Sequence, residues 1–112
     1  MISTYRNRRE ASKIARRAVS DRLAACASII PIYSIYAWEG KIEEGLEVMV
    51  LYKTTSTKAR LLRRYVRDSH GYTVPEIVDL EMKSVNRSYL EWLISTTSSK
   101  SGVPQQRDNT SQ

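Results

Sequence analysis

A single cysteine, a single histidine, no phenylalanine and only four glycines among 112 residues set the first limits on this chain. Cys26 has no second cysteine to bridge, so an intrachain disulfide is excluded. One cysteine and one histidine cannot build, from one chain, the nitrogen and sulfur cage usual for zinc or copper. The glycines form neither the dinucleotide-binding nor the P-loop spacing. Cys26 paired with His70 as a catalytic dyad would need an orienting acid and an oxyanion hole, and no local signature supplies them. The sequence therefore reads as a protein that is not an enzyme. Apolar runs are also short: Val48 to Tyr52 is bounded by Glu47 and Lys53, far below the ~20 residues of a membrane-spanning helix. The stretch from Met1 to Arg9 lacks the apolar core of a secretion signal, and the expected setting is the reducing cytosol, without a membrane partner.

What is present is charge, sorted by position. The chain carries a formal net charge of +6, and residues 6–22 hold seven basic residues against two acidic, residues 58–68 five against one. The hairpin tip between them, residues 36–47, is acidic, with Glu39, Glu43, Glu44 and Glu47 against Lys41.

Ala11, Ile14, Ala15, Ala18 and Val19 recur at three and four, predicting a helix over 8–22 with Asn7 as N-cap and a short strand at Ile2–Tyr5 before it. From Ala24 the pattern becomes extended. Pro31 interrupts that strand and implies an edge position or a bulge, because proline donates no ladder hydrogen bond. Tyr33, Tyr36 and Trp38 continue it, Gly40 and Gly45 bracket a turn region, and Leu46–Thr54 returns as the second arm of a long hairpin. Thr57 reads as the cap of a second helix ending at His70-Gly71. Val78, Leu80 and Met82 alternate with Asp79, Glu81 and Lys83 as a strand with one wet face, and Asn86 opens a short last helix.

This order predicts an α+β, ferredoxin-like βαββαβ fold: a four-stranded antiparallel sheet with a long central hairpin, two main helices on one face and a short C-terminal helix. The expected division is one domain over 1–96, with a polar, flexible tail over 97–112 and composition turning polar from Ser95. A sheet face without helices needs a partner. Trp38, Tyr33 and Tyr36 close to a turn read as interface anchors, and Glu39, Lys41, Glu43 and Glu44 as charges that pair across subunits or keep the hairpin soluble.

For metal chemistry two readings stand side by side. Cys26, His70 and Glu76 converge on an ion, completed across a subunit boundary and with Met82 as a softer donor for Cu(I), or Cys26 is a small buried strand residue and His70 a helix cap. The arginine-rich helices could attract nucleic acid, but no aromatic stacking platform or recognition motif accompanies them, so nucleic acid is not the favoured partner.

Five ordered blocks stand out: Arg22-Leu-Ala-Ala-Cys26, Tyr36-Ala-Trp-Glu-Gly-Lys-Ile-Glu-Glu44, Glu47-Val with Lys53-Thr-Thr55, His70-Gly-Tyr-Thr-Val-Pro-Glu76 and Tyr89-Leu-Glu-Trp-Leu93. Across residues 1–96 these blocks resemble the CutA family of divalent-ion tolerance proteins. The resemblance implies a compact homotrimer, similar in architecture to the PII signalling proteins, with hairpins reaching between neighbours. It also implies tolerance of divalent ions, copper among them, with Cys26, His70 and Glu76 as ligands. The alternative it leaves open is a PII-like signalling module binding an anionic small molecule or a partner protein.

Overall fold

The computed structural model describes residues 1–98. Asn7 starts the first helix as its spacing predicts: its Oδ1 accepts the Glu10 N–H at 2.8 Å, and α1 runs Arg8–Ser20 after β1, Ile2–Tyr5. The Glu10 side chain does not return to the cap. It turns instead toward Arg6, with its carboxylate 3.5 Å from the guanidinium.

The hairpin consists of β2, Cys26–Trp38, and β3, Lys41–Lys53, paired without interruption from Cys26 opposite Lys53 to Trp38 opposite Lys41. Its turn is only Glu39 and Gly40, both at positive φ (49° and 77°), the combination that a tight two-residue hairpin demands. The expected turn region between Gly40 and Gly45 is thereby corrected. Gly45 lies inside β3 opposite Ser34. Pro31 does not break β2, because the sheet order β2-β3-β1-β4 puts that strand at an edge.

Helix α2, Ser56–Ser69, is preceded by Thr55 rather than Thr57, and the Thr55 carbonyl accepts the Lys58 and Ala59 N–H groups. The predicted strand over 78–82 shrinks to β4, Ile77–Val78, opposite Ser3 and Ile2. β1 has four residues, so the ladder runs out and Leu80 and Met82 are left exposed without strand partners. Asn86 precedes α3, Arg87–Thr97, but its amide donates to the Ser88 hydroxyl instead of capping the backbone. Polar composition suggested that order ends at Ser95; α3 continues because Thr97 is buried and returns its hydroxyl to the Leu93 carbonyl at 2.9 Å. The rest of the expected tail, from residue 99, lies outside the described residues.

The core forms between the helices and one sheet face, where Ala11, Ile14, Ala15 and Ala18 of α1 and Leu62 and Val66 of α2 meet Tyr5, Val50 and Tyr52. Two polar atoms are buried with them as a pair, the Tyr5 and Tyr52 hydroxyls 2.6 Å apart. Burial pushes both phenols above their ordinary range, so both stay neutral and share one hydrogen bond.

Candidate functional site: the hairpin and the His70 corner

β1 pairs only with Val48–Leu51 of β3, so the hairpin beyond Glu47 projects past the body of the sheet. Because directly opposed residues share a face, Tyr33 with Leu46, Ile35 beside Glu44 and Ala37 with Ile42 line one side of the arm. Tyr36 with Glu43 and Trp38 with Lys41 line the other. The apolar members are open to solvent, Leu46 to 80 %, Ile42 to 70 % and Ile35 to 65 %. Tyr33 donates to the Glu44 carboxylate at 2.8 Å, so that acid is held within the hairpin itself. Of the predicted anchors, Tyr33, Tyr36 and Trp38 are all exposed here, and Glu39 forms the turn. Reading by composition missed Ile35, Ile42 and Leu46. Two-residue alternation counted back from a turn at Glu39-Gly40 would have placed all three on the Tyr33 face.

His70 sits at the end of α2, its ring stacked on Tyr5 with centroids 4.6 Å apart and planes 9° apart. Its Nδ1 accepts the Tyr72 N–H at 3.1 Å, which leaves Nε2 to carry the proton of the neutral ring. That Nε2 is buried without a hydrogen bond of good geometry, although the Thr4 backbone is near enough to favour a proton there. Beside it Tyr72 donates to Glu47 at 2.6 Å, and Arg6 reaches the Gly71 carbonyl at 3.4 Å. Gly71 is packed so closely that a Cβ would collide with the Glu10 carboxylate and the Arg6 guanidinium.

Burial lowers the His70 pKa below 6.5, against the smaller upward pull of Glu10 and Glu47. The sign follows directly. A folded-state value below the unfolded one means that the unfolded chain binds the proton first, so the stability held by neutral His70 is present above about pH 6.5 and lost as pH falls through that value toward the lower folded one. Urea unfolding in the presence of chelator should therefore give a lower midpoint at pH 5.5 than at pH 7.5. His70→Gln should reduce that slope, the remainder including the N-terminal ammonium, whose pKa burial also lowers.

Cys26 lies elsewhere. It opposes Lys53, whereas Tyr5, which carries His70, opposes Val48; five residues of β3 separate the two levels, ~16 Å of strand. The Cys26 sulfur is 3.7 Å from the Lys53 ammonium, which also donates to Ser28, so a cation already stands beside the thiol. Glu76 is exposed and joined to the sheet through its carbonyl, which accepts the Ser3 hydroxyl at 2.7 Å. Among the described residues no three His, Cys, Asp or Glu side chains converge on one point. Within one subunit the three predicted ligands are thus not brought together, and the donor set of one copy does not fit a metal ion. Met82, the softer donor, is exposed on the segment beyond β4. No helix among the described residues is long and apolar enough to cross a membrane.

This geometry has close counterparts. "Protein CutA" of Mus musculus is 44 % identical over 99 residues, 88 % of this chain and 56 % of that one. The divalent-cation tolerance protein CutA of Thermus thermophilus is 42 % identical over 98 residues, covering 87 % of this chain and 95 % of that one. The chain spans about half the length of the mammalian relatives it matches, and nearly all of the bacterial one. A solved structure, the periplasmic divalent cation tolerance protein CutA from Archaeoglobus fulgidus, superposes with a TM-score of 0.84 at 36 % identity, over 87 % of this chain and 95 % of that one. With residues 1–96 also matching the family described as CutA1 divalent ion tolerance protein, the chain belongs to that family.

Proposed function

We propose that the protein works as a homotrimer in the tolerance of divalent cations, binding an ion, copper among the candidates, with donors drawn from more than one copy. The observation that carries this reading is the projecting hairpin, whose Ile35, Ile42 and Leu46 have nothing from their own chain over them. Exposed apolar surface of that extent on a projecting arm is stabilised when a second copy covers it. Separation of Cys26 from His70 and Glu76 inside one subunit is compatible with an ion only if assembly supplies the missing donors, so in this proposal binding and assembly are linked. The role is that of a binding protein and not an enzyme, and a lone unpaired cysteine suits a reducing cytosol, although the Archaeoglobus fulgidus relative is described as periplasmic.

Isothermal titration of the assembled protein with Cu(II) and Zn(II) should give saturable heat, lost in Cys26→Ser and in His70→Ala and weakened at acid pH, where protons compete for the His70 imidazole. Absence of saturable heat, or binding unchanged in both variants, would refute the metal reading. Light scattering decides the assembly: a mass of three chains is expected, and a monomer at micromolar concentration refutes it.

A further inference from the structure

The outer faces of α1 and α2 form a strongly cationic surface. Arg9, Lys13 and Arg16 recur at four and three along α1, and Arg60, Arg64 and Arg67 do the same along α2. All six are exposed, on the sides away from the buried Ala11, Ile14 and Ala15 and from Leu62 and Val66. The helices contact each other over one sheet face, so the rows run side by side at a helix spacing of ~8–10 Å, each row about 10 Å long.

Neighbouring acids do not neutralise these rows. Glu10 turns toward Arg6, Asp21 is held by Arg17 at 2.8 Å, Asp68 faces Arg67, and Asp79 is paired with Arg63. Arg9, Lys13, Arg16, Arg60 and Arg64 meet no carboxylate among the described residues. The acidic residues Glu39, Glu43 and Glu44 lie out along the hairpin, off this face.

We propose that this face binds the phosphate backbone of duplex nucleic acid, without reading its sequence. Two cation rows about 10 Å apart, between the widths of the minor and major grooves (~6 and ~12 Å), can reach the phosphate lines on either side of a groove. Phosphate neutralisation by clustered Arg and Lys supplies sequence-independent affinity by releasing counterions. The missing aromatic platform counts against single strands, whose bases need stacking partners, and not against a duplex, whose bases are already stacked. A lipid surface is less well matched, since the only strongly exposed apolar side chains among the rows are Leu61 and Val19, too few to insert as a rim. The inference is independent of the metal and assembly readings.

Fluorescence anisotropy with a labelled mixed-sequence 20-base-pair duplex, as DNA and as RNA, tests it. With about five phosphates neutralised, affinity should fall about 500-fold between 50 and 200 mM NaCl and be indifferent to sequence. Lys13→Ser, Arg16→Ser and Arg64→Ser together should weaken binding at least tenfold at 50 mM and flatten the salt slope by about half. Lys83→Ser with Arg87→Glu lowers the net charge by the same three units off the two helices and should leave both nearly unchanged. Should the first triple variant misfold, Arg9→Gln with Arg60→Gln makes the same comparison. No binding at 50 mM, equal weakening by both charge-matched variants, or tighter binding to phosphatidylserine vesicles than to either duplex would overturn the proposal.

Discussion

Leu46→Asp is expected to leave a folded monomer. Leu46 is 80 % exposed and opposes Tyr33 on the solvent-open face of the arm, so a carboxylate there costs the isolated subunit little. In an assembly that covers the arm, the same carboxylate is desolvated on the face that carries Glu44, with no cation facing it within the hairpin. An uncompensated buried charge costs about 3–5 kcal/mol, which weakens association by roughly 10² to 10³-fold or more at each interface. Sedimentation velocity at micromolar concentration should show one chain for Leu46→Asp and three for Leu46→Met, which keeps the apolar volume. Trp38→Ala, on the opposite side of the arm, should give an intermediate loss. Should Leu46→Asp remain trimeric, the hairpin is not the arm that holds the copies together.

Leu62→Ala should have the largest effect on the fold itself. Leu62 is fully buried between α2 and the core around Ile14, Val66 and Tyr5, and it is held there by elements distant in sequence. Truncation to alanine removes the transfer free energy of its side chain and leaves a cavity, together about 3 kcal/mol. Against a total stability of about 5–15 kcal/mol for a domain, that is a large fraction, and at a few degrees per kcal/mol it lowers Tm by roughly 10–20 °C. Leu61→Ala, next to it but 44 % exposed, should lie within about 0.5 kcal/mol of the parent. Both belong in the Leu46→Asp background or at one protomer concentration, because assembly contributes to apparent stability. Equal losses in the two variants would mean that Leu61 is covered too, by a neighbour.

Element identity was legible because it is written in spacing. Apolar residues at three and four mark α1 and α2, and Asn7 three residues before Glu10 places the first cap where it is found. β-prone arms around the Glu39-Gly40 pair mark the hairpin, although Gly45 misplaced its turn: a glycine signals permission for a turn, and only pairing register shows whether one occurs. The alternation through Val78, Leu80 and Met82 misled for a related reason. A strand needs a partner of equal length, and β1 supplies four residues.

The candidate site was less legible, since its parts are far apart in the chain. The residue types Cys26, His70 and Glu76 can be read off the sequence, but not the stacking of His70 on Tyr5, the Tyr72–Glu47 hydrogen bond, or the strand length that separates Cys26 from both. By itself the sequence determined the order of elements, the family to which the blocks belong and the segregation of charge, because each is carried by neighbours within a few residues. Only the tertiary structure decided which side chains share a face, how far the hairpin stands clear of the sheet, and that one subunit does not gather Cys26, His70 and Glu76. Those depend on pairing register and on where a ladder ends, and a one-residue slip of the register would turn every side chain of a strand to the other face.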